Sequence, residues 1–246
     1  MKRFYYDLHT HSCLSPCADD DNTPNNLAGM AALCGINILA LTDHNTTRNC
    51  PAFFVAAERN GVIPVAGMEL TTSEDIHVVC LFPELSSAMR FCEYVDAHRP
   101  PIQNRPEIFG NQLMLDGEDN IIGIEENLLS FATDISSEEV PTLVKEYGGI
   151  CYPAHIDREA NGIIAILGTF PETPHYNVFE IRNRAKLEEF TEKYNLAGKT
   201  AVISSDAHYL TDLRDAENFF ELDCDTDSAD EVRRALFNKL SKVIDQ

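Results

Sequence analysis

Two histidines, His9 and His11 in Asp7-Leu8-His9-Thr10-His11-Ser12, follow the apolar run Phe4-Tyr5-Tyr6. Side chains two apart share one face of a strand, so a strand over 4–8 projects both imidazoles from its carboxyl end. Two imidazoles aimed at one point suit a divalent metal. An isolated H-x-H is weak, but four more histidines sit at the ends of predicted strands. They lie in Thr42-Asp43-His44, Ile76-His77-Val78, Tyr152-Pro153-Ala154-His155 and Ser204-Ser205-Asp206-Ala207-His208.

The elements that must position these residues alternate. A strand near 4 leads to a helix that Thr23-Pro24 opens as cap and first residue and Gly35 ends. A buried strand over 36–41 follows, then a helix over 51–60 stopped by Gly61, and a strand over 63–66 that delivers Gly67-Met68-Glu69. The strand His77 to Phe82 has its histidine at the start, so its loop or its pairing must bring His77 inward. After a helix over 85–98 the composition changes at Arg99-Pro100-Pro101, and segments 111–115 and 120–124 flank Asp116-Gly117-Glu118-Asp119 as a β-hairpin. Ser136 and Glu139 form a capping box for a helix to Tyr147. Strands over 150–152, 177–181 and 200–204, a helix over 186–194 and a last amphipathic helix from Ser228 toward Lys239 complete the chain. The strands near 4, 36, 63, 77, 150, 178 and 200 are candidates for one parallel sheet, with helices outside and functional groups at the carboxyl ends. Pattern alone does not separate a barrel from an open doubly wound sheet.

Bulk properties narrow the function. The chain has 246 residues, enough for one large α/β domain. No apolar run is long enough for a membrane span, and Met1-Lys2-Arg3-Phe4 does not begin a signal peptide, so a cytoplasmic protein is expected. The eight cysteines form no C-x-x-C and are expected to be reduced. A formal net charge of −21 and the absence of a basic stripe disfavour long nucleic acid and favour a small substrate.

The ordered set DLHTHS, TDHN, GMEL, IHVV, PAHIDR and SSDAH resembles the PHP (polymerase and histidinol phosphatase) domain family over Asp7 to His208, most of the chain. That resemblance implies a distorted (β/α)7 TIM-like barrel, here a single domain over 1–246 with a β-hairpin insertion over 99–135. It also implies three metals, with Glu69 bridging two of them. His9, His11 and Asp206 would serve one ion, His77 and His155 a second, and His44 with His208 a third. Some family members carry a histidine in the loop after the first motif, where this chain has Ser12-Cys13-Leu14-Ser15-Pro16-Cys17-Ala18-Asp19. Asp19 is the expected substitute, with Cys17 as its rival.

Imidazole and carboxylate together suit zinc, manganese or iron, and two to three such ions are expected. Asp7 and Asp43 precede ligand histidines and can hold an imidazole tautomer or a water. Glu69, Asp206, His208 and Asp43 are the candidate catalytic groups. Three divalent ions against Asp19, Glu69 and Asp206 leave a positive pocket that draws an anionic substrate. Arg158, Arg182 and Arg184 are candidate phosphate-binding residues, unless each is an ordinary surface ion pair. His98 and His175 fall outside the motifs and are not assigned as ligands.

The leading expectation is a metal-dependent phosphoesterase acting on a small phosphate monoester, histidinol phosphate or a nucleotide such as a 3′,5′-bisphosphate. One rival is a metal-dependent amidohydrolase or deaminase, which also opens a barrel with H-x-H. That family bridges its metals through a lysine, and no lysine lies between Lys2 and Lys145. The others are a PHP-like module without activity and a nuclease acting on short ends.

Overall fold

The computed structural model of the chain describes residues 1–224 and 228–242. The order is β1 (Lys2–Thr10), α1 (Pro24–Leu33), β2 (Ile38–Leu41), α2 (Cys50–Asn60), β3 (Ile63–Thr71), β4 (His77–Phe82), α3 (Leu85–Asp96), α4 (Pro106–Phe109), β5 (Leu113–Leu115) and β6 (Ile121–Ile124). It continues with α5 (Val140–Glu146), β7 (Ile150–Pro153), α6 (Ile163–Leu167), β8 (Val178–Glu180), α7 (Leu187–Lys193), β9 (Thr200–Val202), β10 (Phe219–Leu222) and α8 (Ala229–Ser241). Local chemistry sets several boundaries. The Thr23 hydroxyl accepts the Asn26 amide to cap α1, and Gly61 ends α2 with φ of 69°. Ser136 and Glu139 do pair, but they close the turn before α5, which starts at Val140.

The main sheet runs β10-β1-β2-β3-β4-β7, and β8 and β9 form a separate parallel pair. Seven parallel strands are not what forms. β1, β2 and β3 are parallel, but β4 is antiparallel to both β3 and β7, and β10 is antiparallel to β1. The reason lies in the link over residues 72–76, where the Thr72 amide donates to the Ile76 carbonyl. So short a connection makes a hairpin; a parallel crossover needs a dozen or more residues.

The curled sheet closes toward a distorted barrel through backbone hydrogen bonds. The Ile156 amide donates to the Glu180 carbonyl, the Asp206 amide to His9 and the His11 amide to Ala207. Alternate residues then split between two cores. Leu8, Ala40, Val65, Val79, Tyr152 and Val202 fill the interior, and Val232, Leu236 and Phe237 of α8 cover its amino end. Outside, α1, α2 and α3 pack Leu27, Phe53 and Phe91 on Leu39, Met68 and Val78. Along β3 this alternation sends Met68 and Leu70 outward and leaves Glu69 facing in with Val65.

Segment 99–135 lies over the loop after β1. The Leu113 amide donates to the Cys13 carbonyl, and Asn49 bonds the backbone of both Leu113 and Leu115. Its hairpin pairs β5 with β6 as expected. Among the described residues no helix is long and apolar enough to cross a membrane.

Candidate metal centre

Glu69 is 1% exposed and is met by imidazoles from every side. Its Oε1 lies 2.8 Å from His77 Nδ1, 2.9 Å from His155 Nε2 and 3.4 Å from His9 Nε2. Its Oε2 lies 3.1 Å from His44 Nδ1 and 3.4 Å from His11 Nε2. Asp206 Oδ1 approaches His11, His9 and His208 at 3.3, 3.5 and 3.6 Å. The topology accounts for this meeting. β1, β2 and β3 end where β4 begins, because β4 runs the other way. His77 therefore reaches the same face from the start of its strand. His155 and Asp206 adopt φ of 27° and 52°, a left-handed conformation disfavoured for both residues that turns them off the strand path into the centre.

Electrostatics show what the cluster lacks. Burial opposes ionisation of Glu69, yet His77, His9 and His44 hold its carboxyl well below the usual range. Burial also disfavours a charged His11, but Asp206 and Glu69 outweigh it and hold the imidazole up at about 9. His208, desolvated and facing His11, is pushed down to about 4. Glu69 Oε2, Asp206 Oδ1 and His44 Nδ1 are buried without a hydrogen-bond partner. Buried acceptors facing imidazoles with no donor between them fit a cation. Their donor atoms form three overlapping groups, each within 4.8 Å: His9, His11, Glu69 and Asp206; His44, Glu69 and His77; and His11, His44 and His208.

The sequence profile of the PHP domain matches residues 7–159, more than half of the chain. The chain belongs to the PHP domain family. Members of that family are metal-dependent hydrolases, phosphoesterases and nucleases among them. The chain is also 37% identical over 79 residues to a 5′-3′ exoribonuclease of Haemophilus influenzae, a match covering 31% of this chain and 28% of that one. Among solved structures it resembles the lesion-specific endonuclease EndoQ of Pyrococcus furiosus, with a TM-score of 0.65 and 17% identity over 96% of this chain and 56% of that one. It also resembles a provisional metal-dependent phosphoesterase of Bifidobacterium adolescentis, with a TM-score of 0.53 and 18% identity over 82% of this chain and 87% of that one. The chain thus spans about a quarter of the exoribonuclease and about half of EndoQ.

Within this PHP domain the other predicted site residues separate. Asp19 is exposed, its Oδ1 accepts the Asp21 amide and its own amide donates to the His208 carbonyl. Cys17 is exposed too, with Sγ 3.3 Å from His44 Nε2. The Asp43 carboxylate is consumed by Ser12 and Ser15: it accepts the Ser12 amide and hydroxyl at 2.7 Å each and the Ser15 hydroxyl at 2.8 Å. Its place is behind the imidazoles, where it organises the loop after β1; a part in the reaction itself is not what this position offers. Arg158 Nη1 lies 3.0 Å and Arg182 Nη1 3.7 Å from Asp206 Oδ2, whereas Arg184 turns away to Asn218. Asp7 accepts the amides of His9 and Ser205, tying β1 to the segment that carries Asp206.

Glu180 escaped the sequence reading. It is fully buried on β8, with both carboxylate oxygens 3.0 Å from His9 Nδ1 and Oε1 accepting the His155 amide at 2.9 Å. With Nδ1 engaged by Glu180, His9 turns Nε2 toward Glu69 and Asp206, the side on which a cation would sit. The signal was an acidic residue inside the apolar run Val178-Phe179-Glu180-Ile181.

Proposed function

We propose that the chain is a phosphoesterase that hydrolyses a small phosphate monoester, histidinol phosphate or a nucleotide such as a 3′,5′-bisphosphate. The observation that carries this reading is the meeting of six imidazoles with buried Glu69 and Asp206, beside two arginines that reach Asp206. Two to three divalent ions, zinc, manganese or iron, suit the overlapping donor groups, with Glu69 shared between two of them. Such ions polarise phosphoryl oxygens and make water acidic enough to attack at neutral pH. The protein's own part is positional. Glu180 and Ser15 orient His9 and His11, and Arg158 and Arg182 offer planar donors to a phosphate at the mouth of the cluster. A net charge of −21 makes that mouth an isolated attractive spot for a compact anion. We read 99–135 as an insertion in a single domain. Eight free thiols suit a reducing compartment such as the cytoplasm.

A phosphodiesterase acting on a nucleic-acid end is the second reading, favoured by the 79-residue likeness to an exoribonuclease. The deciding experiment is a release assay with manganese or zinc, run on phosphomonoesters, mononucleotides and 5′-labelled oligonucleotides side by side. Inorganic phosphate from a small ester supports the first reading, and nucleotides from the oligonucleotide support the second. Turnover of neither class by protein that has bound metal refutes both. Glu69→Gln should remove activity and lower metal content together, and an active, metal-replete variant would refute the shared role.

A further inference from the structure

On the metal-centre reading above, we infer that Cys17 supplies a thiolate ligand to an ion held with His44 and His208. The geometry around His44 supports it. The sulfur is 3.3 Å from His44 Nε2, and the donors of His11, His44 and His208 lie within 4.8 Å of one another. His44 is 4% exposed and its Nδ1 is buried without a hydrogen-bond partner. Asp19, the other candidate in this loop, has Oδ1 engaged by the Asp21 amide.

The backbone holds the sulfur in position. The Ala18 amide donates to the Ser15 carbonyl and the Asp19 amide to the His208 carbonyl, so the loop is fastened to the segment carrying one of the imidazoles. Segment 99–135 presses on the loop from outside: at Gly110, with φ of +88°, an added Cβ would stand 2.7 Å from the Pro16 carbonyl oxygen. The neighbouring thiol, Cys13, is turned away toward the Leu113 carbonyl.

Binding forms a metal–sulfur bond as the S–H bond breaks, and the proton leaves to water. No oxidation is involved. A thiolate beside imidazoles favours zinc or ferrous iron over magnesium or calcium.

The test is cobalt(II) loading of the chelator-treated full-length chain. Wild type should show a near-ultraviolet sulfur-to-cobalt charge-transfer band, and Cys13→Ser should keep it. Cys17→Ser should lose the band and bind cobalt at one site at least about tenfold more weakly, whereas Cys17→Asp should regain the ion without the band. Alkylation of Cys17 by iodoacetamide, read by mass spectrometry on wild type alone, should be suppressed by zinc. Cobalt bound with no Cys17-dependent band, or zinc that leaves Cys17 alkylation unchanged, overturns the thiolate ligand and leaves the rest of the centre standing. No cobalt bound at all overturns the centre and the ligand together.

Discussion

At the scale of single residues, two imidazoles of the centre, His9 and His11, are held from behind by a second partner on Nδ1. His9 is fixed by Glu180, and His11 by Ser15, whose hydroxyl accepts from Nδ1 at 2.9 Å while donating to Asp43. Glu180→Gln should therefore weaken metal binding roughly 10- to 100-fold without removing a ligand, measured by competition with a chromophoric chelator. Unchanged affinity would mean that Glu180 merely fills space. Protons and a cation compete for the same charge. His11 is held up at about 9 and the carboxylates around His9 hold that imidazole up as well, so metal uptake at pH 7 displaces protons and apparent affinity should rise with pH from 7 to 9. A pH-stat titration with zinc reads the released protons directly.

At the scale of elements, the decisive feature is the reversal of β4. The continuous apolar run Val78-Val79-Cys80-Leu81-Phe82 marked β4 as a strand, but its direction depended on the link over 72–76, where Asp75 takes φ of 62° to close the turn. Gly67 pairs with Leu81 across β3 and β4, and a Cβ there would meet the Cys80 carbonyl oxygen at 2.5 Å and the Leu81 side chain at 2.7 Å. Gly67→Ala should cost about 1–3 kcal/mol in denaturant unfolding, because backbone on one side cannot yield. It should also loosen His77 against Glu69, two residues along β3, so metal content should fall with stability. α1 and α2 were legible from caps and breakers: Thr23-Pro24 and Gly61 behave as their chemistry demands, whereas the short α4 and α6 were not expected. β10 was not, because Phe219–Leu222 is a short edge strand whose pairing with Lys2–Tyr5 spans the whole chain.

At the scale of the whole molecule, the centre and the core occupy opposite ends of one interior. α8 covers the amino end with Leu236 fully buried, and the candidate metal ligands crowd the carboxyl end. Leu236→Ala should cost about 2–5 kcal/mol of unfolding free energy by leaving a cavity, with metal affinity per folded molecule unchanged. Chelation should do the reverse. Stripping metal should lower the melting temperature of wild type, since ligand at 100 times its Kd contributes about 2.7 kcal/mol. Calorimetry with and without chelator reads that difference, and Glu69→Gln should show little of it.

The amino-acid sequence marked out the histidines, Glu69 and Asp206 that meet in the cluster. Histidine, glutamate and aspartate at the ends of apolar runs stand out because such groups are costly to bury without a cation or a partner. It also determined the alternation of strand and helix, which follows from side-chain periodicity within each segment. Which donors lie together was decided only in three dimensions. The nearness of Cys17 to His44 and the clamp of Glu180 on His9 join segments far apart in the chain. Periodicity reports the face a residue occupies, whereas ligand geometry depends on how strands are ordered and directed, and that is set by closure of the sheet.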